Sequence, residues 1–495
     1  MKLKALLEGL VSVSVPDGEM DIVHLTSDSR EVRSGALFVC VKGFRTDGHQ
    51  YVAEAVKRGA VVILAQDPVT ARVPVMIVPD TAALLSPLAA KFYGHPTDDL
   101  RVIGVTGTNG KTTTTYLLEA IFKLAGHRPG VIGTIQYRVG GQTIPASHTT
   151  PDAMALQRTL ADMKRMGASH IVMEVSSHAL SLGRVDDCEF DGAVFTNLTQ
   201  DHLDFHLTME AYGEAKRRLF TSLTSRSRKP VIGKYAVINA DDEFSGTLMK
   251  GLSVPVWTYG IRREAMVRAT EVVSTREGLS GRVKTPVGEV ELRMILRGRH
   301  NVENGLAALA CALAEKVPME TALAALAECG GAPGRLEWIK EGQPFMVVVD
   351  YAHTPDALRK TLQAVREFQP KRVITVFGCG GDRDRAKRPL MGAIAAEMSH
   401  YAVLTSDNPR SEDPEAILTE IEAGAKKMTG RTWVKEVNRE RAIQHALEQA
   451  QPDDLVLIAG KGHETYQIIG QQIVPFDDRE VARRHLKQRF LVKGR

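Results

Sequence analysis

Short apolar runs bounded by glycine, proline or polar clusters alternate along this chain with longer segments whose apolar residues recur at helical spacing, which predicts an α/β protein throughout. Over residues 1–98, Ala36 to Val41, Val61 to Ala65 and Val75 to Val78 read as strands, and Val52 to Arg58 and Ala82 to Tyr93 as helices. This block closes at Gly94-His95-Pro96 and predicts a small N-terminal α/β domain. Over residues 99–332, strands at Arg101 to Val105, Gly130 to Ile132, His170 to Glu174, Gly192 to Thr196 and Tyr235 to Ile238 alternate with amphipathic helices. Such alternation predicts a mostly parallel sheet with its ligands at the carboxyl ends of the strands. Gly330-Gly331-Ala332-Pro333-Gly334 breaks the pattern. Residues 333–495 then carry strands at Phe345 to Val349, Arg372 to Phe377, Tyr401 to Thr405 and Leu455 to Ala459, which predict a doubly wound, Rossmann-like domain.

At 495 residues the chain is too long for one ordinary core and fits three domains. A formal net charge of +4 is too small an excess to call for a nucleic-acid partner. Cys40, Cys188, Cys311, Cys329 and Cys379 show no CxxC spacing, which suits a reducing compartment better than a disulfide framework or a zinc site. The opening MKLKALLEGL lacks the apolar core of a secretory signal, and no run approaches about 18 uninterrupted apolar residues. The expectation is a soluble cytoplasmic protein that acts on small molecules, as a monomer, without nucleic-acid partners or membrane insertion.

The strongest chemical signal is Val102-Ile103-Gly104-Val105-Thr106-Gly107-Thr108-Asn109-Gly110-Lys111-Thr112-Thr113, an apolar strand running into a glycine-rich turn and then a helix. Glycines let backbone N–H groups point into the loop, Lys111 can reach outer phosphates, and the Thr112 hydroxyl can hold magnesium at the helix start. Tyr116, Leu117, Ala120, Ile121 and Leu124 mark that helix, read as Thr113 to Ala125. A ligand with several phosphates, bound with magnesium, is therefore expected.

Ile171-Val172-Met173-Glu174 is a buried-strand pattern ending in a carboxylate, which makes Glu174 a candidate magnesium ligand, or else an acid that caps the next helix. Thr196-Asn197-Leu198-Thr199-Gln200-Asp201-His202-Leu203-Asp204 adds a second strand end rich in oxygen and imidazole, with His202 a candidate ligand; a zinc site of His202, Asp204 and His206 is the alternative. In the helix Glu210 to Phe220, Tyr212, Lys216 and Leu219 share a face, so Lys216 sits on an otherwise apolar side and is expected to snorkel to solvent.

The spacing of Gly104, Gly107, Gly110 and Lys111 is tighter than in the common phosphate loop and resembles that of the Mur ligase family, ATP-dependent enzymes that join an amino acid to a carboxylate. The resemblance extends over nearly the whole chain. It implies that Gly107, Thr108, Asn109, Gly110, Lys111, Thr112 and Thr113 bind ATP, and that Lys216, in Tyr212-x-x-Ala215-Lys216-x-x-Leu219-Phe220, is carbamylated to hold a second magnesium. It places Asn301 of Arg299-His300-Asn301-Val302-Glu303-Asn304 on the adenine side, Arg335 of Pro333-Gly334-Arg335 at phosphate charge and Asp350 of Asp350-Tyr351-Ala352-His353-Thr354-Pro355 at the ribose. A guanidinium suits the phosphate role because it stays charged and pairs bidentately with oxyanions.

Within the family the chain resembles the UDP-N-acetylmuramoyl-tripeptide synthetases. That implies a UDP-sugar-peptide site holding Ser29 of Ser27-Asp28-Ser29-Arg30, Thr149 and Thr150 of His148-Thr149-Thr150-Pro151, Ser176 and Arg184. His148 and Leu182 stand where some members carry Asn and Gln. The segment that chooses the amino acid resembles Asp407-Asn408-Pro409-Arg410, and an arginine at its last position goes with meso-diaminopimelate. A buried second carboxylate needs such a donor. Arg383, Gly460 and Glu464 match the remaining contacts, Glu464 meeting the far ammonium. Read locally, Asp407 to Arg410 is also a helix-capping turn before Ser411-Glu412-Asp413-Pro414, and the two readings can hold together. A folylpolyglutamate-type synthetase would share the central domain, and a nucleotide-binding switch would need the phosphate loop alone.

Overall fold

The computed structural model describes residues 1–11, 18–43, 46–146, 148–224, 228–229 and 233–490. The first sheet is four-stranded and parallel, in the order β1 (His24–Thr26), β2 (Ala36–Val39), β3 (Ala60–Ala65) and β4 (Val75–Ile77). The helices Val52–Lys57 and Thr81–Phe92 accompany it. Leu37, Val39, Val62 and Leu64 face one apolar cluster while Phe38 and Ile63 face the other, the alternation a two-sided sheet requires.

The central sheet is built from β5 (Arg101–Thr106), β6 (Pro129–Ile132), β7 (Gln136–Val139), β8 (Gln142–Pro145), β9 (His170–Glu174), β10 (Gly192–Phe195), β11 (Tyr235–Asn239), β12 (Val256–Gly260), β13 (Val267–Ser274), β14 (Leu279–Thr285) and β15 (Gly288–Met294). Its order is β15-β14-β13-β12-β11-β10-β5-β9-β6-β7-β8. Pairings from β12 to β6 are parallel, as the alternation of strands and helices predicts. Both margins depart from that expectation: β13-β14-β15 and β6-β7-β8 are antiparallel. These strands follow one another through short turns with no helix between them, so the periodic signal that marks a crossover is absent.

Two apolar layers enclose this sheet. Ile103 and Val105 face the helices Lys111–Leu124 and His300–Ala314, whereas Val102 faces the layer that contains Leu156, Leu160 and Leu219. Truncating any of these fully buried leucines to alanine costs about 2–5 kcal/mol.

The third sheet runs β16 (Glu337–Trp338), β17 (Met346–Asp350), β21 (Leu455–Ala459), β18 (Val373–Phe377), β19 (Tyr401–Leu404) and β20 (Trp433–Lys435), parallel except for β16. Asp350 pairs with Ala459, and Phe377 with Leu404, so the loops that start at residues 351, 378, 405 and 460 leave one edge together. A hairpin of β22 (Tyr466–Ile469) and β23 (Gln472–Pro475) lies against the loop after β19 through an isolated bridge of Arg410 with Ile469. Among the described residues no helix is long and apolar enough to cross a membrane, and the five cysteines are unpaired.

Candidate active site

β5 is flanked by β9 and β10, and its register sets Val105 opposite Glu174 and Thr106 opposite Phe195. The phosphate-loop candidate thus emerges between the two strand ends that carry the other candidate ligands. Gly110 adopts φ 89°, and a Cβ there would fall 2.4 Å from Asn304 Oδ1; at Gly107 it would fall 1.9 Å from Thr196 Oγ1. Only glycine lets the loop lie this close to both neighbours. The backbone N–H of Thr108 donates to the Asn197 carbonyl at 2.8 Å, and that of Asn109 to Asn197 Oδ1 at 2.9 Å. Lys111 Nζ folds over the loop and donates to the carbonyls of Gly107 and Thr108, each at 2.8 Å, and burial lowers its pKa. The helix begins at Lys111, two residues before its sequence-predicted start, so Thr112 and Thr113 occupy its buried first turn. The N-terminus of this helix favours an anion at the loop.

Among the described residues Glu174 caps no helix. It is buried, its Oε1 accepts from the Thr134 N–H, and its Oε2 accepts from the hydroxyls of Thr112 and Thr134, all at 3.0 Å. The helix after it is capped by Ser176, whose hydroxyl accepts from Ala179 N. Thr149, Thr150, Ser176 and Arg184 assemble around the same strand end. Thr149 Oγ1 lies 3.1 Å from Thr134 Oγ1, Thr150 Oγ1 donates to the Glu174 carbonyl at 2.8 Å, and Arg184 donates to the Thr150 carbonyl at 3.0 Å. Ser29 lies in a short turn of the first domain. That turn's Glu31 pairs at 3.7 Å with Arg158, on the helix that follows Thr150-Pro151-Asp152.

Lys216 does not snorkel. Its side chain is fully buried, with its Nζ 4.2 Å from the centre of the Tyr212 ring, and no carboxylate pairs with it among the described residues. The helix Met209–Thr221 packs on the sheet with Tyr212, Lys216 and Leu219 inward, leaving no exit for a four-carbon stem. Burial, reinforced by the nearby Lys111 charge, drives the Lys216 pKa well below its ordinary value. Tyr212 in turn lies 3.1 Å from Thr108 Oγ1, which ties this helix to the phosphate loop.

The His202 and His178 rings meet at 4.8 Å; the His202 side chain keeps 45% of its surface exposed, and partial desolvation lowers its pKa, which favours the neutral imidazole that can coordinate a metal. The zinc alternative fails on geometry. Among the described residues the group close enough to share an ion is Asp47, His49 and Asp67, far from His202 in the chain, while His206 Nε2 meets Ser177 Oγ at 2.9 Å.

The third domain touches the loop directly: Asp356 Oδ2 accepts from Thr199 Oγ1 at 3.3 Å and lies 3.5 Å from Asn109 Nδ2. Asn301, buried beside Asn304, donates to the Arg297 carbonyl and accepts from Asn304 Nδ2, each at 2.8 Å. Asp350 is buried, with Oδ2 accepting from Leu336 N at 2.8 Å and Oδ1 from Ala352 N and Thr361 Oγ1 at 3.0 Å. It thereby holds the Pro333-to-Leu336 turn to β17. Arg335 stacks 4.6 Å from the Tyr351 ring centre, and its Nε is buried without a hydrogen-bond partner among the described residues.

At the carboxyl edge of the third sheet, Asp407, Asn408, Pro409, Arg410, Gly460 and Glu464 converge. A Cβ on Gly460 would lie 2.8 Å from Asp407 Oδ2, and Asn408 Nδ2 donates to Glu464 Oε2 at 2.9 Å. Arg410 donates to the Gly381 carbonyl at 2.8 Å, and a Cβ on Gly380 would lie 2.9 Å from Arg410 Nη1 and 3.8 Å from Arg383 Cγ, so the two arginines flank one glycine. The segment is not the helix cap: that is Asp413, whose carboxylate accepts from Glu415 N. Buried Arg388 fixes the preceding loop through Glu412 and Glu420, and buried Arg439 bonds Asp478 and the carbonyls of Ser406 and Ala459 beneath the site.

Sequence reasoning missed Thr134, Asn197 and Lys461 as members of these clusters. Thr134 and Asn197 lie in segments without periodic signal, and Lys461 stands in Gly460-Lys461-Gly462-His463-Glu464, of which only Gly460 and Glu464 matched expected contacts.

Comparison with known proteins assigns this arrangement a place. The Mur ligase family catalytic domain matches residues 21–93, the Mur ligase middle domain residues 105–312 and the Mur ligase glutamate ligase domain residues 334–462. The UDP-N-acetylmuramoyl-L-alanyl-D-glutamate--2,6-diaminopimelate ligase of Geobacillus thermodenitrificans is 50% identical over 492 residues, covering 99% of this chain and 100% of that protein. The Bacillus cereus protein of the same name is 46% identical, covering 99% of each chain. A solved structure of a ligase of this name superposes with a TM-score of 0.70 at 32% identity, covering 99% of both chains.

Proposed function

The chain belongs to the Mur ligase family, and from that premise we infer which of its residues carry the reaction. It is an ATP-dependent ligase of peptidoglycan precursor synthesis that joins meso-2,6-diaminopimelate to the γ-carboxylate of D-glutamate in UDP-N-acetylmuramoyl-L-alanyl-D-glutamate. The observation that best supports the residue assignment is the convergence of the glycine loop, Thr112 and Glu174 at adjacent strand ends.

ATP lies with its phosphates on residues 107–113, its outer phosphates at Lys111, its adenine toward Asn301, and Arg335 and Asp350 reaching it from the third domain. Magnesium fits the hard oxygen donors of Thr112 and Glu174, which lie 3.0 Å apart, and would neutralise phosphate charge there. His202 and Lys216, the latter carbamylated, are the candidates for a second ion; an uncharged buried amine is the form that reacts with carbon dioxide.

The substrate's γ-carboxylate oxygen attacks the γ-phosphorus and the bond to the bridging oxygen of ADP breaks, giving an acyl phosphate and ADP. Such a step needs positioning and charge neutralisation more than a covalent enzyme group. Thr149, Thr150, Ser176 and Arg184 orient the dipeptide beside Glu174, and Ser29 contributes from the uridine end. The amine of diaminopimelate then attacks the carbonyl, the bond to phosphate breaks and the amine proton is lost. Arg383, Arg410, Asp407, Asn408 and Glu464 hold the amino acid, and Asp356 on Thr199 is one contact by which the third domain closes over the loop and excludes water. With 18O in the γ-carboxylate, one labelled oxygen should appear in the released phosphate; unlabelled phosphate would rule out the acyl phosphate.

A further inference from the structure

Lys461 is completely buried, between Gly460 at φ 115° and Gly462 at φ 52°. A Cβ on Gly462 would lie 2.7 Å from the Gly334 carbonyl oxygen and from Tyr351 Cβ, so the segment is pressed against its neighbours and the lysine stem has one way to run. Its Nζ donates to Glu464 Oε2 at 2.9 Å and to Asn408 Oδ1 at 3.1 Å. Asn408 Nδ2 closes the triangle on the same Glu464 oxygen at 2.9 Å, and Asn408 Oδ1 also accepts from Ile468 N at 3.0 Å, which fixes the amide's orientation. Glu464 Oε2 therefore takes two donors, while Oε1 accepts no hydrogen bond among the described residues.

We propose that Lys461 is the positioning residue of the amino-acid site: it fixes Glu464 so that Oε1 faces the ammonium at the far stereocentre of diaminopimelate, while Arg410 and Arg383 take that centre's carboxylate. This rests on the reading of the cluster as the diaminopimelate site. Three features carry it. The ammonium neutralises a carboxylate that is only 17% exposed, so Glu464 can wait for its ligand without stranding a charge. The same ammonium joins the Ile468 N–H in orienting Asn408, so two of the residues expected to touch the amino acid share the Lys461 donor. The bonds leave the unshared carboxylate oxygen as the acceptor for an incoming cation. Lys461 acts through Glu464 and Asn408 and need not touch substrate or the reacting atoms.

The test uses the full-length Lys461→Met variant, with phosphate release followed as meso-diaminopimelate is varied at saturating magnesium-ATP and UDP-sugar dipeptide. The expected result is a KM for diaminopimelate raised about tenfold or more, with the KM values for ATP and the UDP-sugar dipeptide close to wild type. A general structural role would disturb all of these together. Glu464→Gln and the double variant complete a cycle: because Lys461 acts through Glu464 and Asn408, the double variant should lose less affinity for diaminopimelate than the product of the two single losses. The double variant also removes the carboxylate that Lys461→Met strands, so it carries the test if the single variant does not fold. A wild-type KM in Lys461→Met, or losses that multiply in the double variant, would overturn the proposal. Failure of the underlying reading looks different: wild-type enzyme would then release no phosphate in response to diaminopimelate.

Discussion

The hydroxyl of Thr112 donates to Oε2 of Glu174 at 3.0 Å across 62 residues of chain, so the first turn of the phosphate-loop helix and the end of the neighbouring strand form one oxygen-lined corner. Glu174→Gln would place an amide among three donors, two of them on Oε2, and remove the anionic charge. Turnover should fall by about 10²-fold or more, and magnesium titration should saturate at higher concentration. Near-normal turnover with unchanged magnesium dependence would remove Glu174 from the site.

The proposed carbamylation of Lys216 predicts a dependence on carbon dioxide. The Lys216 pKa is lowered by burial and then by Lys111, so the neutral amine persists to lower pH than in an ordinary lysine. Protonation reverses carbamate formation, so activity in carbonate-depleted buffer should drop most at the acidic end of the range, with bicarbonate restoring it. The linkage has the same sign: between the lowered folded value and the ordinary 10.5, the unfolded chain binds more protons, and this group's contribution to stability rises with pH. Lys216→Ala should be inactive and indifferent to bicarbonate. Full activity in that variant would refute the carbamate assignment.

Arg410 should set amino-acid choice. Removing it leaves the second carboxylate of diaminopimelate without a bidentate partner, a loss of about 2–5 kcal/mol for a desolvated charge pair. Arg410→Ala should raise the KM for diaminopimelate by about 10²-fold while leaving whatever turnover lysine supports unchanged. Equal effects on both amino acids would place Arg410 outside the discriminating contact.

Glu412 is a stability handle behind the same site. Its bonds to Arg388 lower its pKa from 4.5 to about 2, so its contribution is complete above the unfolded value and is lost as pH falls from 4.5 toward 2. Glu412→Gln should lower the denaturation midpoint at neutral pH, with wild type and variant converging near pH 2. A constant difference across that range would contradict the assignment.

The parallel heart of each large sheet was legible because β5, β9, β10, β17, β18 and β21 are continuous apolar runs separated by helical periods. The antiparallel margins were not, since β13 alternates only partly and β8 is wholly exposed, which leaves little apolar pattern to read. Glycine spacing and strand-end polarity sufficed to bring Lys111, Thr112 and Glu174 together on paper. Lys216 shows the limit of periodicity: the helix face was read correctly, but a charge on it was assigned to solvent because burial depends on what packs opposite. Lys461 escaped for a related reason, since its partners Asn408 and Glu464 lie 53 and 3 residues away and only the fold closes the triangle.

The most direct test of the assigned reaction is phosphate release by the purified protein with magnesium-ATP and UDP-N-acetylmuramoyl-L-alanyl-D-glutamate, in the presence of meso-diaminopimelate, L-lysine or no amino acid. Strong stimulation by diaminopimelate alone, with one UDP-sugar tripeptide formed per phosphate released, is the predicted result. Release that is indifferent to diaminopimelate, or equal stimulation by lysine, would contradict it.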